Sequence, residues 1–265
     1  MIIEETRRIA YSSRKVALCL DGSTFWKWQV ESMQFQALIE EWPGESMIFF
    51  RELPGCFSAA STSEKALQAA PATIETYFHW LKENGIVLVE EDGDPISVTP
   101  MERLESIGSE GGPLFVADHA APSDLEIDNA LNVAATARAL IIELVTNVPS
   151  HLHDQTLAPS EWSLTRHLQH IMESETWYVS RLTEDPAPEQ PTADLSADDI
   201  SLKIFEHAMD YEVLLRDLTT DQRSRVFLHD GEQWTAAKVL RRMAGHLHEH
   251  YQSMDEMVHA FSATR

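Results

Sequence analysis

Residues 234 to 261 run without a proline, and Val239, Met243, His246, His250 and Met257 fall on one face at a rotation of about 100° per residue. A segment this long with that period specifies a helix that buries one stripe. Three earlier stretches, about 125 to 147, 161 to 183 and 197 to 218, show the same period, with polar or proline-rich breaks between them. Four such helices predict an all-α, up-down four-helix bundle over residues 125 to 265. The break EDPAPEQPTADLSADD between the second and third is too acidic and proline-rich to pack, and reads as a surface crossover.

The N-terminal half reads differently. Residues 1 to 32 show no clear period and are expected to form a poorly ordered leader, with Met33 standing before the first strand-like alternation. From there MQFQALIEEW alternates, Pro43 and Gly44 break it, and SMIFFREL resumes, which predicts a β-hairpin. After the turn LPGCF, Ser61 and Glu64 match a capping box ahead of a helical pattern that ends at Gly85. Pro71 should bend or restart that helix, and IVLVEE reads as a further strand. The expectation for residues 33 to 91 is an α+β domain with a small antiparallel sheet and one helix. Residues 92 to 124 are dense in Gly and Pro and read as a connector with one strand at LFVAD.

The length of 265 residues suits two domains. A formal charge of -23 repels phosphate backbones, so no nucleic acid is expected as partner. No apolar stretch long enough to span a bilayer appears, so no membrane is expected and the location is read as cytoplasmic. Cys19 and Cys56 form no paired-thiol or zinc-finger motif, and Cys56 has no basic neighbour to activate it.

The 12 histidines matter only by placement. His246 and His250, spaced i and i+4, lie over one helical turn, a geometry that lets a helix grip a metal with two imidazoles. His248 points to the opposite side. A third ligand is needed, and the second helix offers His167 and His170. The apolar stripe of Leu164, Leu168, Ile171 and Leu182 places His167 nearer its centre, so periodicity alone favours His167. His248, His259, His207, His229, His151 and His153 read as surface or loop residues, and Trp162 and Trp234 as structural rings at the bundle end.

Two resemblances add to this reading. ESMIFFRELPGCFSAASTSEKALQAAPATIETYFHWLKENG, within residues 33 to 91, resembles the HicB-like antitoxin fold, which implies a protein partner for this region. EWSLTRHLQHIMESETWYVSRL and GEQWTAAKVLRRMAGHLHEHYQSM look like the DinB-like superfamily of metal-binding helical bundles, over about residues 113 to 262. In that family a ligand histidine follows a Trp-Ser pair by a fixed step and the last helix carries an H-x3-H pair. The register implies His170, His246 and His250 as the ligands. Three imidazoles without a carboxylate favour zinc or nickel and leave positions open for water or substrate. The resemblance implies a metal-dependent enzyme, of S-transferase, isomerase or hydrolase type, that activates a water or a small thiol of an unidentified small-molecule substrate. The competing expectation is a non-enzymatic, partner-binding or antitoxin-like protein with a structural or vestigial metal site; a homodimer is compatible with either.

Overall fold

The computed structural model describes residues 32–88, 95–106, 111–156, 161–184, 192 and 194–263, together with the backbone of two short strands, β1 (Val16–Leu20) and β2 (Ser23–Lys27). Those two pair antiparallel, inside the stretch for which the sequence shows no period.

The predicted hairpin forms from β3 (Met33–Trp42) and β4 (Glu45–Phe50), turning at Pro43 and Gly44. Strand β5 (Phe57–Ala60) pairs with β4, and β6 (Ile96–Glu105) pairs with β3. The sheet order is β5-β4-β3-β6. Here the structure corrects the expected antiparallel sheet: β6 runs parallel to β3, so the sheet is mixed. A parallel neighbour requires a crossover, and helix α1 (Ser63–Glu83) supplies it by packing Ala66, Ala70, Ile74 and Phe78 onto the sheet. Residues 96 to 105, inside the stretch read as a connector, are therefore part of the sheet.

Helix α1 begins one residue later than the capping box suggests. Thr62 is the cap and its hydroxyl accepts from the Lys65 N–H at 3.3 Å. Pro71 does not break the helix, because the burial of Ala70 and Ile74 on either side holds the backbone through the lost hydrogen bond. At the other end the Ile86 and Gly85 N–H groups reach back to the Leu81 and Lys82 carbonyls, the double closure that a glycine after a helix permits. Ile86 to Leu88 form no strand, and the remainder of IVLVEE lies outside the described residues. LFVAD is not a strand either: Val116–His119 form a 3-10 turn, closed by the Asp118 carboxylate accepting from the Phe115 N–H at 3.0 Å.

The C-terminal region is mostly helical. Helices α2 (Asp124–Asn147), α3 (Leu164–Ser180) and α4 (Ala197–Arg216) are followed by a short α5 (Thr220–Ser224). A hairpin of β7 (Phe227–His229) and β8 (Glu232–Trp234) then leads into α6 (Ala236–Ala263). The four long helices close a ring, with α2 against α4 and α6, and α3 against the same two. The extra helix and hairpin make this more than the four-helix bundle expected. Trp234 caps the end of the ring, fully buried against Trp177 and with the Lys238 ammonium 3.9 Å from its ring centre.

The apolar interior does not divide at the connector. Phe35 and Ile48 of the sheet, Ile74 of α1, Ile141 of α2, Leu168 of α3 and Met254 of α6 belong to one continuous cluster. Two polar ties reinforce it. Arg242 of α6 donates to both carboxylate oxygens of Glu40, at 2.7 and 2.5 Å, and Glu40 is fully buried in β3. Gly112 covers this pair so closely that a Cβ there would stand 1.4 Å from the guanidinium. Arg241 binds Asp118 in the same manner, at 3.2 and 2.6 Å. Among the described residues no helix is long and apolar enough to cross a membrane.

Candidate metal centre

The site is built where α3 passes α6. Ser163 caps α3 by accepting from the Arg166 N–H at 3.1 Å, which fixes the helix start directly after Trp162. Leu164, Leu168 and Ile171 then bury completely and set the rotation of the helix. On α6 the same is done by Val239, Met243 and Met257. Those two rotations bring His170, His246 and His250 together, with one nitrogen from each within 4.8 Å of the others. His246 Nε2 lies 3.0 Å from His170 Nε2 and 3.1 Å from His250 Nε2.

Convergence of this kind is poor hydrogen bonding. A neutral imidazole has one N–H and one lone pair, so the single Nε2 of His246 cannot satisfy two facing Nε2 atoms at once. Protonation is no remedy, because burial, with His170 and Arg242 adding repulsion, lowers His246 to about 3. Burial, then His246 and His167, pushes His250 lower still. Three imidazole nitrogens, two of them on rings that burial keeps unprotonated, therefore point at a common centre, which is the donor chemistry of a divalent cation site.

His167, the residue favoured by the apolar stripe, is also present but in another role. It is buried, and its Nδ1 lies 2.9 Å from Nδ1 of His250, on the far side of that ring from the cluster. Burial, with His170 adding, lowers its pKa to about 4. Trp162 covers the group, its ring 5.0 Å from that of His170 and 5.3 Å from that of His167. Its expected place is at the bundle end, and what it packs on there is the histidines. For His246 the outer nitrogen is less well served: Nδ1 is buried without a hydrogen-bond partner among the described residues.

His248 overturns its surface assignment. It does point away from the cluster, but into protein: it is 3% exposed and its Nδ1–H donates to the Gly55 carbonyl at 2.9 Å. Trp80 and Tyr77 pack on it with ring centres 4.5 and 5.1 Å away. Burial lowers it to about 4, although the Gly55 bond opposes this. The LPGCF turn that receives it is packed as tightly, since a Cβ on Gly55 would meet Val133 at 2.6 Å. Cys56 is buried and its thiol pushed well up by that burial, in keeping with an unreactive side chain. His153 is likewise buried, its Nε2 closing on the Val148 carbonyl at 2.8 Å at the end of α2. His151 and His259 are exposed as expected.

One side of the cluster opens. His170 and His246 line a cavity of about 780 Å³ whose opposite wall is the N-terminal sheet, through Trp42, Met47, Phe49 and Phe57. Charge enters through Arg166, Arg242, Glu45, Glu173 and Glu249. That size is within the range of small-molecule sites.

Residues 134–254 of the chain match the sequence profile of the DinB superfamily. The match includes α3, α4 and the histidines of α6, and lies wholly outside residues 33–91, so the antitoxin-fold resemblance draws nothing from it. No curated protein and no solved structure matches the chain.

Proposed function

We propose that this protein is a metal-dependent enzyme of DinB-like type, in which His170, His246 and His250 hold one divalent cation, zinc or nickel. The observation that carries the reading is the meeting of three imidazole Nε2 atoms beside a cavity, lined by two of the three rings, that is large enough for a small molecule. A cation held there would act as a Lewis acid, making a water or a small thiol more acidic. The chain's own residues do the rest. His250 keeps its Nε2 lone pair toward the cluster by placing its proton on Nδ1, where His167 accepts it. Trp162 shields the rings from water on one side, and the cavity admits substrate on the other. The reaction is a transfer, isomerisation or hydrolysis.

A second reading is a non-enzymatic protein whose metal ties α3 to α6. The burial of His167 and His250 against each other favours it. Metal analysis of protein purified without an affinity tag tests the common premise: about one equivalent in the wild type, and loss in His170→Ala and His246→Ala. Unchanged content in both variants would defeat the assignment. Stripping the metal separates the two readings, since a structural ion should lower the melting temperature sharply and a catalytic one only slightly.

A further inference from the structure

The cavity beside the histidines is not a helical pocket with a bystander sheet next to it. Five aromatic side chains line it, Trp42, Phe49 and Phe57 from the sheet side and Trp177 and Tyr178 from α3. Faces of such rings attract cations as well as apolar groups.

The charges in the cavity point the same way. Both guanidinium groups are already engaged: Arg242 is bound to buried Glu40, while Arg166 lies 4.0 Å from Glu173 and over the Trp162 ring at 5.2 Å. Glu45, at the head of β4, and Glu249, on α6, line the cavity from opposite elements. Among the described residues neither makes an ion pair within 4.0 Å. Two carboxylates without an ion-pair partner, beside imidazoles that carry no negative charge, disfavour an anion and favour a cation, and the rings supply the apolar half of the site.

We propose that this cavity binds an organic cation, an aryl- or alkylammonium molecule. Its ammonium group sits between Glu45 and Glu249, its body lies on the rings of Phe57 and Trp177, and its far end reaches toward His170 and His246. The sheet then contributes half of the recognition surface. Only the role of the far end rests on the metal reading; the cation preference does not.

Binding to metal-free protein separates the two. Trp42 and Trp177 line the cavity, so a bound ligand should alter tryptophan fluorescence, and calorimetry supplies the stoichiometry. The probes are phenethylamine, 2-phenylethanol and phenylacetate, which share a ring and differ in charge. The amine should bind about tenfold more tightly than the alcohol, and phenylacetate most weakly. Glu45→Gln should reduce the preference for the amine, and Glu45→Gln combined with Glu249→Gln should erase it, while Glu45→Gln leaves the alcohol and the metal content unchanged. Phe57→Ala should weaken all three probes. Equal affinities for the three, no binding of any, or an amine preference undiminished by Glu45→Gln would each overturn the proposal. None of these outcomes would alter the metal content on which the preceding assignment depends.

Discussion

His167 and His250 meet through their Nδ1 atoms, 2.9 Å apart, although they lie on different helices. In the proposed metal-bound state His250 turns its Nε2 lone pair to the cation, which requires its proton on Nδ1 with His167 as the acceptor. His167→Ala should therefore keep all three candidate ligands yet weaken metal binding by about 10- to 100-fold. Competition against a chelator measures this. A loss of all bound metal, as great as in His170→Ala, would make His167 a ligand instead.

His248→Ala removes a buried ring packed on Trp80 and Tyr77 and leaves the Gly55 carbonyl without its donor. The expected cost is about 2 to 4 kcal/mol in urea unfolding, with metal stoichiometry unchanged. If metal is lost from a protein of full stability, His248 belongs to the centre and the division of α6 into two faces is wrong.

Arg242→Met should destabilise by about 3 to 5 kcal/mol, because Glu40 keeps its buried carboxylate and loses its counter-ion. Adding Glu40→Leu should recover most of that loss. A double variant as unstable as the single one would place the energy in packing rather than charge.

Acid should act through the histidines that the fold keeps neutral. His246 is held at about 3 and His248 at about 4, against 6.5 in an unfolded chain. Below pH 6.5 the unfolded state gains protons that the folded state refuses, so metal-free protein should lose stability as pH falls from 6.5 toward 4. The slope is about 1.4 kcal/mol per pH unit for each group, and stability should be full above 6.5. Urea midpoints at pH 7.5, 6 and 5 measure it; a constant midpoint would show that these rings titrate normally.

The four long helices were legible because each carries a complete apolar stripe, and His246 and His250 were legible from their spacing on the last of them. Periodicity favours His167 over His170, yet the ring nearer the stripe's centre lies behind His250 and the one at its edge enters the cluster. That difference depends on which way α3 faces α6, which no single helix encodes. His248 was misassigned for a related reason, since the face opposite an apolar stripe is solvated unless another element covers it, and here α1 and the LPGCF turn do. Parallel pairing of β6 with β3 was hidden because its residues alternate weakly, include Pro100 and follow the turn formers Asp92-Gly93-Asp94-Pro95. The β7–β8 hairpin did carry a signal, Asp230-Gly231, whose turn places Asp230 at φ 52°. The flanking strands are only three residues long, too short for an alternation to show.

On α6, neighbouring residues serve opposite masters: His246 and His250 face the histidine cluster, while His248 between them is seated under the N-terminal turn. A single residue inserted after Arg242 would swing this stretch through about 100° and unseat both arrangements in one event. Length changes in this helix should thus be far less tolerated than substitutions, and any lineage that alters the sheet must keep α6 in phase with it.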